Sequence, residues 1–407
     1  MAENQPPSPA DENRSAVIVV AVSTLLNFTG FTLILPVVPF LVAGYVDPDR
    51  VGLHVGLIIA VFALCAFVAS PVLGALSDRY GRRPVLILSL LGSAAGYVIF
   101  GIGGALWVLF LGRIIDGLTA GNISTVFAIV ADTQPPAARG RIYGLLGAIG
   151  GFGFMLGPVA GGLLGAVSPT TPLFVAAVLT LANAAWVLIA LKESAPHDRP
   201  RAPWRWSEID PFRQIASVLR VEALRIPFAA AFCFFFAGAM LQSNLSVYLK
   251  DVMAFGPAGI GWALFGVGVM DILSQGVLTR ILLHRFYTYS LTRAGLFING
   301  LGFCLIACLV FVPHVGFLAA SIFVFTLGDG LFQPSMSAII ANAAPADMQG
   351  RVQGANQAQQ SLARMAGPLL AAAATVIGVN TPYWIGALIT LAGVVILSVW
   401  RSRGSPP

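Results

Sequence analysis

From residue 15 onward the chain alternates between apolar runs of roughly 20 residues and short polar connectors, a rhythm set by the thickness of a bilayer's hydrocarbon core. Twelve such runs are centred near Gly30, Ala63, Ala95, Thr119, Phe152, Leu181, Phe236, Gly268, Leu301, Asp329, Leu362 and Leu391. Each predicts a helix, because a segment out of water has to satisfy its backbone hydrogen bonds within itself. The connectors are too short to fold alone, except residues 193–222, which carry Arg199, Arg201, Arg205, Arg213 and Arg220 and divide the chain six plus six. The expected organisation is a polar tail at 1–14, a six-helix bundle at 15–192, a linker at 193–222, a second six-helix bundle at 223–401 and a short tail at 402–407.

The two halves repeat. A shift of 210 residues superposes Gly140, Arg141, Gly144, Ala148, Met155, Gly157 and Pro158 on Gly350, Arg351, Gly354, Ala358, Met365, Gly367 and Pro368, seven identities in a window of 19 without a gap. Parallel repeats of six helices imply a pseudo-two-fold axis along the membrane normal and a substrate site between the halves near the midplane.

Composition sharpens this picture. Of the 407 residues 57% are hydrophobic and 10% charged, against about a quarter charged in a soluble domain, so a water-facing surface is out of reach. The formal charge of +6 raises nucleic acid as a partner, but no basic cluster is interleaved with stacking aromatics. The basic residues follow topology instead: of 23 Lys and Arg, all but four fall in the termini, the long linker and alternate connectors, with Arg50 and Lys250 on the other side and Arg113 and Arg364 inside spans. Cytoplasmic loops carry the Lys and Arg excess, so both termini are expected in the cytoplasm. Trp204 and Trp206, set among arginines, are expected at headgroup level. Residues 1–14 lack the basic start and apolar core of a cleaved signal, so the first span is expected to be retained.

Catalytic machinery is absent from the pattern. The chain has no Gly-rich phosphate loop ending in Gly-Lys-Ser/Thr, and His54, His197, His284 and His314 are scattered over connectors and span ends. Cys65, Cys233, Cys304 and Cys308 lie in apolar runs without a CxxC pair, which reads as packing. An enzyme, a cofactor and a bound metal are therefore not expected.

The connector after the second span reads Gly74-Ala75-Leu76-Ser77-Asp78-Arg79-Tyr80-Gly81-Arg82-Arg83-Pro84. A carboxylate between two glycines can turn tightly and face the positive N-terminus of another helix, while Arg82 can reach Asp132 at the cytoplasmic end of the fourth span. Such a cluster would latch the halves in one state and release them in another; the alternative is that Arg79, Arg82 and Arg83 only supply positive-inside charge. The fourth span contains Arg113-Ile114-Ile115-Asp116-Gly117, and the fifth Gly153-Phe154-Met155-Leu156-Gly157-Pro158-Val159-Ala160-Gly161-Gly162. Small residues at four-residue spacing let membrane helices approach closely, and Pro158 removes a backbone donor.

These segments resemble the signatures of the major facilitator superfamily, the fifth span that of its drug/proton antiporter branch, and spans four and five together are most similar to tetracycline-type efflux proteins. A degenerate copy of the loop follows the eighth span, where Arg280 stands in the acidic position. The resemblance implies the major facilitator fold in an inner (plasma) membrane, a gating role for Gly74, Asp78, Arg79, Gly81, Arg82, Arg83 and Asp132, and a tight hinge at Gly153, Gly157, Pro158, Gly161 and Gly162 that limits proton leakage. It also implies proton-driven export of a small amphipathic molecule by a monomer, with the proton gradient as energy source. In the first span Asn27 stands where tetracycline exporters carry an acid, and in the eighth Asp271 takes the place of their histidine.

Five charged residues fall near the middle of spans: Arg113, Asp116, Asp271, Asp329 and Arg364. Each costs at least a few kcal/mol against lipid, so each is expected to face protein or a water-filled space. Arg113 and Asp116, three residues apart, share a helix face and can compensate each other. Arg364 is expected to pair with Asp329, which leaves Asp271 without a cation and makes it the leading proton carrier, ahead of Asp329 and of Asp116 with Arg113, the other proton-coupling candidates. Asn27, Gln242, Asn244, Gln333, Gln360 and Arg364, among aromatics such as Phe28, Phe31 and Trp262, are the candidate substrate contacts. A sugar, metabolite or lipid porter of the same fold is the alternative within transport, and a non-transporting receptor or scaffold the alternative outside it.

Overall fold

The computed structural model describes residues 9–120, 122–194, 211–283, 285–345 and 348–402, and among them it contains helices and turns only. Eleven helical segments among the described residues are long and apolar enough to cross a membrane: 15–33, 48–80, 82–102, 106–133, 138–167, 171–190, 222–253, 257–276, 288–310, 315–343 and 381–399. These are the first to tenth and the twelfth spans. The eleventh expected span is present as the 27-residue helix Gln349–Thr375, but Gln353, Asn356, Gln357, Gln359, Gln360 and Arg364 keep it below the apolarity of the others. The fourth span is built of two helices, Leu106–Thr119 and Asn122–Thr133. The tryptophan and arginine run around Trp204 and Trp206, with His197 and His284, lies outside the described residues.

Local chemistry sets the ends of these helices. Proline opens the fifth, sixth and eighth spans, where its missing N–H has no partner to lose. At the start of the tenth the His314 ring accepts the Gly316 N–H at 3.0 Å. The second span, Val51–Tyr80, ends at Gly81, whose φ of 107° lies where a side chain is strained.

The chain forms two compact units, residues 1–37 with 64–205, and residues 38–63 with 206–407. Residues 38–63 thus group with the second unit although they precede most of the first in sequence. Their reason is local: Gly52 abuts Thr375, Gly56 abuts Ala372 and the Pro368 carbonyl, and Lys250 lies 5.9 Å from the Phe40 ring centroid.

Within the first unit, the first helix packs along the fifth and sixth, and the third along the fourth and sixth. Within the second, the seventh packs along the eleventh and twelfth, and the ninth along the tenth and twelfth. The pairings repeat with a shift of six helices, as the 210-residue sequence repeat requires.

Candidate functional site

In the first unit the loop signature is wired to two other elements. Arg82 begins the third span, Arg82–Ile102, and its buried guanidinium forks: one nitrogen reaches Asp78 at 2.6 Å and Nε reaches Asp132 at 2.9 Å, while a third bond at 3.3 Å goes to the Ser77 hydroxyl. The side chain of Asp132 is 4% exposed and that of Asp78 is 64% exposed, so one arm of the fork is dry and the other wet. Arg79 lies 5.5 Å from the Tyr80 ring centroid, and Arg83 donates to the Leu188 carbonyl. A Cβ on Gly74 would meet nothing, so its small size is not required within this unit.

Glu193 completes this cluster and had no signal in the sequence. Its carboxylate accepts the backbone N–H groups of Arg82 at 2.8 Å and Arg83 at 3.2 Å, and that of Ser194 at 3.0 Å. A carboxylate there satisfies orphan donors of a helix start and meets its positive dipole end. A Cβ on Gly81 would collide with this carboxylate, so position 81 is glycine for space as well as for its positive φ.

The fifth helix, Pro136–Val167, runs unbroken through Pro158 and lays its glycines on the first. Gly150 meets the Phe28 ring, Gly153 approaches the Leu25 carbonyl to within 2.7 Å of where a Cβ would stand, and Gly157 and Gly161 press on Thr29, Thr32 and the backbone of Leu33. Gly147 and Gly151, off this face, would meet nothing. Gly162 is buried. This is the close approach that small-residue spacing makes available.

Arg113 and Asp116 form an ion pair at 2.8 Å, both nearly sealed from solvent at 2% and 3% exposure. Phe100 offers its ring face 5.8 Å from the Arg113 guanidinium, and Ser93 bonds Asp116. Asn27 is held by the Asn122 amide at 2.7 Å, while Phe31 is half-buried.

The second unit holds the other carboxylates. Asp271, on the helix Pro257–Leu273, and Asp329, on Val315–Ala343, face each other within hydrogen-bond reach. The Gln333 amide donates to Asp329 at 3.1 Å, Gln275 contacts Asp271, and Asp271 Oδ1 is buried without a protein hydrogen-bond partner. Directly after Asp271 the helix widens into a π-turn over Ser274–Leu278, a feature that places a helix face out of ordinary register. Thr279 closes the turn by donating to the Ser274 carbonyl at 2.9 Å and to the Gly330 carbonyl at 2.7 Å, and Gly330 leaves room for Ser274 against it. The turn therefore docks one residue past Asp329 and brings the two acids together.

The expected Arg364–Asp329 pair does not form. Asp329 is engaged by Gln333 and Asp271, and among the described residues Arg364 makes no ion pair. Depth is not the obstacle, because the seventh helix serves as a ruler: Phe332 stacks on Phe234 at 4.3 Å, and Gly367 abuts Phe236, Ala239 and Met240. Asp329 and Arg364 each lie three residues before those contacts, and successive spans alternate in direction, so the two charges sit at nearly one level. They nonetheless form no ion pair, and the Arg364 side chain is accessible. Gln242 and Gln360 are half-buried, and Asn244 is buried with Oδ1 lacking a protein partner.

A sequence model described as the Major Facilitator Superfamily matches residues 20–368 and 230–407. The chain is 34% identical over 363 residues to the tetracycline resistance protein, class C, of Escherichia coli, covering 89% of this chain and 90% of that one. It is 25% identical over 389 residues to the quinolone resistance protein NorA of Staphylococcus aureus (strain COL), covering 95% and 97%. Among solved structures it resembles the human organic anion transporter MFSD10 (TETRAN), with a TM-score of 0.69 and 24% identity over 97% of this chain and 100% of that one.

Proposed function

The chain belongs to the Major Facilitator Superfamily, and on that footing we propose that it exports small amphipathic antibacterial molecules in exchange for protons, by alternating access. The observation that carries this reading is the Asp271–Asp329 carboxyl pair, set in mid-span with no ion pair to a cation among the described residues. Two carboxyl groups in contact are suited to share one proton, which a change in access can release. Asp116 is less suited to the task, because Arg113 already neutralises it. In this reading the substrate-contacting side chains are Asn27 and Phe31 of the first unit and, separately, Gln242, Asn244, Gln333, Gln360 and Arg364 of the second. The relatives named for tetracycline and quinolone resistance support small drug-like substrates over sugars or lipids.

Proteoliposomes with an imposed pH gradient and an internal pH dye test the reading. Uphill movement of tetracycline or a quinolone is expected, with counterflow of protons and collapse on adding a protonophore. Accumulation that ignores the protonophore overturns proton coupling, and movement of neither compound overturns drug export.

Gating in this reading resides in Gly74, Asp78, Arg79, Gly81, Arg82, Arg83 and Asp132, which Glu193 anchors to the end of the sixth span. The molecule works as a monomer in the inner (plasma) membrane with both termini cytoplasmic, as the basic residues favour. Reporter fusions at either end are expected to be active only as cytoplasmic reporters. A periplasmic signal from the C-terminus contradicts an even number of spans.

A further inference from the structure

We infer that Arg364 is the receptor for an anionic group on the exported molecule, so that the substrates of this chain carry a carboxylate or an enolate. The inference rests on the export reading above and deepens it. Its first ground is the absence of any ion-pair partner for Arg364 among the described residues, although Asp329 lies at nearly its depth. The nearby acids are committed elsewhere, Asp329 and Asp271 to each other and to Gln333 and Gln275.

The second ground is the helix that carries it. Gln353, Gln357, Gln360 and Arg364 follow spacings of four, three and four and form one polar stripe on Gln349–Thr375, with Gln353, Gln357 and Arg364 exposed. Hydrocarbon does not tolerate such a stripe, so it borders a watery route. Snorkelling does not explain the arginine, because Arg364 lies roughly 16 Å along the axis from the nearer helix end at 1.5 Å per residue. A guanidinium that stays charged, presents a planar fork of donors and lacks an internal anion is built to take one from outside.

The probes are a quinolone with its free carboxylate and the methyl ester of the same compound, which differ in that one charge. Binding of each to the purified full-length protein in detergent gives an acid-to-ester affinity ratio. Wild type is expected to favour the acid, and Arg364→Gln to lower the ratio by about tenfold or more, the cost of one charge-assisted contact. Arg364→Lys, which keeps the charge but loses the fork, is expected to lower it several-fold and decides the matter if the Gln variant does not fold. A wild type indifferent to acid and ester, or a ratio unchanged in the variants that fold, overturns the inference while leaving export intact. A wild type that binds neither quinolone probe but moves tetracycline overturns the inference alone, while one that also moves neither tetracycline nor a quinolone sinks the export reading, and this inference with it.

Discussion

Asp271→Asn is expected to reduce uphill, pH-driven accumulation of substrate to the level of protein-free vesicles while downhill exchange of substrate continues. The reason lies in the contact between the eighth and tenth spans. Asp271 and Asp329 touch, and among the described residues neither makes an ion pair with a cation and Asp271 Oδ1 has no hydrogen-bond partner. An Asn there imitates the protonated acid and keeps a donor for Asp329, so the helices stay docked but nothing can be released. Coupling requires the proton affinity of the pair to change as access alternates, and the amide has none to change. Proton and substrate flux in the same vesicles over a pH series measures this. Normal accumulation by the Asn variant would make Asp271 structural and shift attention to Asp329. Asp116→Asn serves as contrast: it strips Arg113 of its counter-ion in a sealed site, so lost folded protein, rather than uncoupled flux, is the expected outcome.

Arg82→Met is expected to destabilise the first unit by about 3–5 kcal/mol, the scale of breaking a buried ion pair from one side. The charge that loses this partner is Asp132, whose side chain is 4% exposed. Pairing Arg82→Met with Asp132→Asn should recover most of that loss, because the second change removes that charge. Asp78→Asn should cost far less stability, since its side chain is 64% exposed and solvent screens that arm. Thermal unfolding in detergent across the double-mutant cycle reads the coupling. If the double variant is no more stable than Arg82→Met alone, the dry arm of the fork does not hold this corner together.

Much of this architecture is legible in sequence because lipid imposes length and apolarity on every span. The Arg113–Asp116 pair was legible too, since a three-residue step on a helix guarantees proximity. Reach across elements is different. Arg82 to Asp132 was accessible through the loop signature, but Glu193 lies 111 residues from the backbone groups it caps, and no local pattern marks a lone glutamate after a span as a cap. Charge counting pairs Arg364 with Asp329 because it treats depth as if it were contact. Gln333 and the π-turn after Asp271 decided otherwise, and a π-turn is a response to packing that residue propensities do not announce. Length and the internal repeat mark the eleventh helix as a span, while its polar stripe keeps it less apolar than the others.

The grouping of residues 38–63 has a consequence for how the chain is made. A ribosome delivers this stretch early, yet the partners of Gly52 and Gly56 are Thr375, Ala372 and Pro368, which emerge more than 300 residues later. At the usual pace of about 5–20 residues per second, the outer half of the second span waits some tens of seconds before its groove exists. The second unit therefore cannot close until the eleventh helix is made, and a truncated chain that stops before that helix leaves those glycines bare to lipid or to a chaperone. Quality control in the membrane can therefore read the completion of the whole transporter from one early helix.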